Sequence, residues 1–145
     1  MFDIDMKSIV YILLVVILSA SPLNAEEDKE ISYLKEIVSI ITEADVTVRS
    51  ISFDHILIKD GVKKLEGYVE RLDSLECPPS FSRQYKMTSL SLKKMRMAFL
   101  FFSVERREYC RMLVKNGAML LKEAAMDIKN IAKEKGLINE ERGSQ

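Results

Sequence analysis

The sequence predicts an all-α protein, an up-down-up-down four-helix bundle behind an N-terminal signal peptide. Only five glycines and three prolines punctuate 145 residues. Apolar residues recur at three- and four-residue spacing in almost every long segment, rather than alternating. The connections between these segments are short, which makes consecutive helices antiparallel neighbours. The expected organisation is a signal peptide over residues 1–25, a bundle over 26–136 and a polar tail over 137–145.

The leader settles the expected compartment. Ile9 to Leu18 is an unbroken apolar run with Lys7 just ahead of it, and Ser19 to Ala25 supplies a helix breaker, Pro22, among small residues. This is the pattern of a secretory signal, with cleavage expected after Ala25. Asp3 and Asp5 are unusual in a positive leader, and a start at Met6 would give a cleaner Met6-Lys7 opening. A helix from Ile9 to Ala20 would rise roughly 18 Å against a hydrocarbon core of about 30 Å, too short to span. No cysteine follows the run, so lipoprotein attachment is not available. The protein is expected to be exported, periplasmic or secreted, with membrane contact only through an uncleaved leader.

Helix 1 is predicted over roughly Glu27 to Phe53, where Leu34, Ile37, Ile41, Ala44, Val48 and Ile51 form one apolar stripe. The spacing continues through His55, Ile58, Val62, Leu65, Val69 and Leu72. A single helix of that length would outrun its partners, so a break is placed near Asp54 to Lys59, with Asp60 capping helix 2. Helix 2 runs to Glu76 and stops at Cys77-Pro78-Pro79, since two successive rings cannot donate to the ladder. Pro79 suits the first turn of helix 3. Helix 3 is expected to reach about Val104, with the charged stretch Glu105 to Glu108 as the next turn. Helix 4 then runs to about Lys135 and stops at Gly136.

The run Leu72-x-x-Leu75-x-Cys77-Pro78-Pro79-x-Phe81, followed by two long amphipathic helices, resembles small exported bacterial helical-bundle proteins of uncharacterised function. The likeness spans about Leu65 to Ala132, and Tyr85 stands where such proteins often place a histidine. It implies the helical fold and export, and no activity.

Charge is balanced overall but divided along the chain. From Glu26 to Glu76 there are 13 acidic and 7 basic residues, whereas Cys77 to Lys122 has 10 basic and 2 acidic. Acidic and basic helices side by side account for this through modest attraction. The alternative is an anionic partner held by a basic patch of Arg83, Lys86, Lys93, Lys94, Arg106, Arg107 and Arg111. Nucleic acid is not the expected partner of an exported chain without a nucleic-acid motif. Two cysteines in an exported chain ordinarily suggest a disulfide. Bundle topology argues otherwise, because Cys77 and Cys110 fall at opposite ends of helix 3.

Little in the chain supports catalysis. His55 is the only histidine and has no Cys or His at metal-ligand spacing, so zinc, haem attachment and a His-dependent triad lack partners. There is no glycine-rich phosphate loop and no nucleophile-elbow motif. Carboxylate pairs such as Glu66 and Glu70 read as solvated helix faces. No enzyme activity and no cofactor are expected.

Methionine is the unusual feature. The six methionines after the leader all lie between Met87 and Met126. On helix 4 the core stripe is Cys110, Leu113, Gly117, Leu121, Ala124, Ile128 and Ile131, and Met112, Met119 and Met126 project from nearly the opposite side. On helix 3 the core stripe is Phe81, Tyr85, Leu92, Met95, Phe99 and Phe102, with Met87, Leu90, Met97, Phe101 and Val104 across from it. The leading expectation is a non-enzymatic protein acting through protein contacts, with a partner or with itself, on this apolar Met-rich face of helices 3 and 4. A periplasmic module for a hydrophobic small molecule or for Cu(I) is the alternative. A rotated bundle that buries both stripes within one chain is the third possibility.

Overall fold

The computed structural model describes residues 25–51 and 55–137, so the leader before Ala25 and the polar tail beyond 137 lie outside the described residues. The chain is an all-α, up-down-up-down bundle of α1 (Ala25–Ser50), α2 (His55–Asp73), α3 (Ser82–Leu100) and α4 (Arg107–Glu134). Single 3₁₀ turns precede α3 (Pro79–Phe81) and α4 (Val104–Arg106). Neighbours in sequence are neighbours in space, α3 with α4 most extensively, and α4 closes the ring against α1. The antiparallel register shows in side-chain contacts. Arg71 of α2 reaches Glu43 of α1 at 2.6 Å, Ser91 of α3 meets Gly117 of α4, and Lys135 returns to Glu30 at 2.7 Å.

Burial follows the helical period. All six stripe residues predicted for the first helix are buried, Ile51 just past the end of α1, and Ile31, Tyr33, Val38 and Ile40 join them, because α1 is covered on more than one side. In α2, Ile58, Leu65, Val69 and Leu72 are buried, with Val62 packed at the core edge. The core stripes of α3 and α4 also face inward, with Tyr85, Phe102, Leu113 and Ile131 only partly covered.

Several boundaries differ from the sequence expectation: α1 ends at Ser50 rather than near Phe53, and Pro79 opens a separate 3₁₀ turn rather than the first turn of α3. Asp60 does not cap α2: it lies in the second turn, exposed, paired with Lys64 at 3.2 Å. The helix begins earlier, at His55, so that Ile58 in its first turn is buried and Gly61 in its second lies under Ile51. Helix α2 also ends at Asp73 rather than Glu76, and the chain leaves it through Ser74 and Leu75. Helix α3 stops at Leu100, four residues short of Val104, where Phe101 and Phe102 bond back to Met97 and Phe99 and Ser103 turns to extended backbone. A 3₁₀ turn then redirects the chain without glycine or proline.

The last helix ends as predicted at Gly136, whose φ of 72° lies in the left-handed region. Its N–H donates to the Lys133 carbonyl, and that of Leu137 to the Ala132 carbonyl at 2.9 Å. These two bonds are a Schellman closure. Leu137, assigned from sequence to the polar tail, is buried.

The two cysteines are free. They lie at opposite ends of α3, a helix of 19 residues that rises roughly 28 Å. A disulfide needs Cα atoms within about 7 Å.

Between α3 and α4 the packing is unusually polar. Gln84, Thr88 and Ser91 are all buried. Ser91 donates to the Gly117 carbonyl at 2.6 Å and Thr88 to the Gln84 carbonyl at 2.8 Å. The Gln84 side-chain oxygen has no hydrogen-bond partner among the described residues. A buried acceptor in that state costs about 1–3 kcal/mol. Gln84→Leu, close in size and in helix propensity, is therefore expected to raise stability by about 1 kcal/mol. A higher urea midpoint at unchanged slope is the expected reading.

Candidate functional site

The predicted outer residues of α3 and α4 are accessible. Leu90, Met97, Phe101, Val104, Met112, Met119 and Met126 are exposed, whereas Met87 is half-buried at the foot of α3. The structure does not gather them onto one face. Gly117 faces α3, as its contact with Ser91 and Met95 shows. At about 100° per residue, Met112, Met119 and Met126 then lie within roughly 40° of the direction opposite α3. Leu90 and Met97 look away from α2, on a different side. Arg83 and Glu123, 3.7 Å apart, mark the seam between the two helices. Phe101 and Val104 are not on the α3 stripe at all, because α3 ends before them; they form the corner leading into α4.

The Met row of α4 is a separate surface of simple geometry. Its members recur every seven residues, nearly two helical turns, so they stay in line along the helix. Met119 is 61% exposed, more than is usual for so apolar a side chain. Successive thioethers in this row are roughly 10 Å apart and cannot share one ion. Among the described residues no three His, Cys, Asp or Glu side chains gather as a metal site.

The basic patch is likewise dispersed. Arg83 and Lys86 lie at the start of α3, Lys93 and Lys94 along it, and Arg106, Arg107 and Arg111 at its far end. Arg111 is held by Glu108 at 3.1 Å and Arg83 by Glu123, whereas Lys93, Arg106 and Arg107 are exposed. Sequence reasoning also missed two apolar residues of the corner, Leu100 and Tyr109, both more than half exposed. The shortened α3 places both at the end of the bundle. An extended residue such as Ser103 inside an otherwise helical pattern leaves no strong signal in the sequence.

The opposite end carries a groove of about 700 Å³ between the start of α1 and the Leu75–Pro79 connection, rimmed by Asp28, Lys29, Glu30, Glu36 and Glu76, with Glu30 paired to Lys135 and Glu36 to Arg71. Tyr33 and Cys77 line it; the Cys77 thiol lies 3.4 Å from the Tyr33 hydroxyl, and the Tyr33 ring packs on Phe81 at 5.6 Å. Burial, with the neighbouring Cys77 thiol and Tyr85 as lesser causes, holds the Tyr33 hydroxyl well above the ordinary tyrosine range. The groove is open and its rim acidic, unlike a cavity for an apolar ligand enclosed between helices. His55 opens α2, and its side chain lies outside the described residues. No described helix is long and apolar enough to cross a membrane.

Comparisons with family profiles, with curated proteins and with solved structures return no significant match. Nothing in them bears on the resemblance to exported helical-bundle proteins.

Proposed function

We propose that this is an exported, non-enzymatic helical-bundle protein that works by docking another protein along the outer side of α4. The observation that carries the reading is the row Met112, Met119 and Met126, exposed on the side of α4 away from α3 while the rest of the bundle closes its core. Methionine is flexible and polarizable, so a Met row adapts to an apolar partner surface better than branched side chains do. The cytosol is not the expected setting, because the leader directs the chain outward.

Photo-crosslinking in the native host tests this reading. A photoreactive residue at position 119 or 126 is expected to give one discrete adduct, and one at Glu66, exposed on α2, none. An adduct of twice the chain mass identifies a second copy as the partner; any other discrete mass identifies a different protein. Met119→Glu with Met126→Glu should abolish the adduct while moving stability by no more than about 0.5 kcal/mol, as exposed substitutions usually do. The absence of an adduct from both positions would sink the reading.

A further inference from the structure

The exposed apolar residues are unevenly placed. At the end where α3 passes into α4, Leu100, Phe101, Val104 and Tyr109 are 52%, 55%, 74% and 56% exposed. All four fall within ten residues, around a 3₁₀ turn at the apex of the corner. Leu57, in the first turn of α2, and Val46, near the end of α1, add to the same end of the bundle. Contiguous exposure of this kind marks a contact surface.

Charge at this end is basic on balance, since Asp45 of α1 and Asp60 of α2 are each paired with a basic neighbour, Arg49 and Lys64. Between Lys93 and Arg111 there are six basic residues and only two acidic ones, Glu105 and Glu108, and Glu108 is engaged by Arg111. The opposite end is acidic on balance, with Asp28 and Glu76 beside Lys29 on the groove and Glu30 and Glu36 paired to Lys135 and Arg71. Large apolar side chains at an apex with guanidinium groups beside them match a flat anionic surface. There the apolar groups enter the acyl boundary, a tyrosine suits the interface, and arginine meets phosphate.

We propose that the α3–α4 corner docks the bundle on an anionic phospholipid bilayer, with Leu100, Phe101 and Val104 entering the interface and Arg106 and Arg107 meeting lipid phosphates. This surface is distinct from the Met row of α4. It adds a membrane contact to the one that an uncleaved leader would make.

The chain has no tryptophan, so Phe101→Trp installs a single reporter that reads the corner whatever the leader does. With vesicles of phosphatidylcholine containing phosphatidylglycerol, its emission should shift to the blue and be quenched by brominated acyl chains. Vesicles of phosphatidylcholine alone should leave it unchanged. Adding Arg106→Gln and Arg107→Gln should weaken partitioning by roughly tenfold or more, since each basic residue near an anionic surface contributes a factor of about five. Val104→Asp should abolish the response, with an unchanged thermal melt showing that the bundle is intact.

No response to anionic vesicles would overturn the proposal, and so would an equal response to neutral ones. A shift produced equally by soluble polyglutamate would show an acidic protein surface to be the partner. A shift that follows protein concentration without lipid would show a second copy. Either result also overturns membrane docking. The response should persist when Met119 and Met126 are replaced by Glu, which separates this proposal from the docking of protein on α4.

Discussion

Gly117→Leu is expected to cost about 3 kcal/mol and to splay α3 from α4. A Cβ built on Gly117 would lie 2.6 Å from Cγ of Met95 and 3.2 Å from the carbonyl oxygen of Ser91. The first of these is mid-chain in a fully buried side chain and the second is backbone, so neither can move aside cheaply. The same close approach lets Ser91 donate to the Gly117 carbonyl. Overpacking a well-filled core typically costs about 1–3 kcal/mol, and leucine brings several carbons beyond Cβ.

Alanine separates this packing effect from helix propensity. Gly→Ala in a helix interior gains up to about 1 kcal/mol when nothing opposes it. Gly67, in the middle of α2, has nothing within 4 Å of the point a Cβ would occupy, so Gly67→Ala should be stabilising by nearly that amount. Gly117→Ala should be destabilising by about 1 kcal/mol instead. Urea titrations of the two alanine variants check this: a gain of stability at position 117 would show that α3 and α4 are not as close as their contacts indicate.

Phe81→Ala is expected to cost about 3–5 kcal/mol, the range for truncating a fully buried phenylalanine. Phe81 is completely buried, follows the Pro78-Pro79 pair, and donates its N–H to the Pro78 carbonyl at 3.0 Å. Its ring closes the end of the bundle against Tyr33 of α1. Domains of this kind are stable by only about 5–15 kcal/mol in total, so the loss should lower the melting temperature by roughly 10 °C or more. Phe81→Leu, which keeps most of the buried volume, should recover over half of it. A melt of the alanine variant within a few degrees of wild type would contradict the burial of this ring.

Helix identity was legible in the sequence because the packing demand repeats along each helix. Leu34, Ile37, Ile41, Ala44, Val48 and Ile51 need one covered side, and the three- and four-residue spacing states which side. The stop at Gly136 was legible for a local reason: glycine reaches the left-handed conformation at little cost. The role of Asp60 was not legible, because aspartate suits a cap and an exposed helix position equally, and only the burial of Ile58 and Gly61 decides between them.

By itself the sequence determined the fold class, the antiparallel order of the helices and the outward placing of Leu90, Met97, Met112, Met119 and Met126. Each of these follows from local spacing and short connections. Only the tertiary structure decided that the outward residues divide into a Met row along α4 and an apolar, basic corner beyond α3. That division depends on how α3 is rotated against α4, through Ser91 and Gly117, and on the early end of α3 at Leu100. Rotation and length are set by contacts between residues far apart in the chain, which periodicity within one helix does not report.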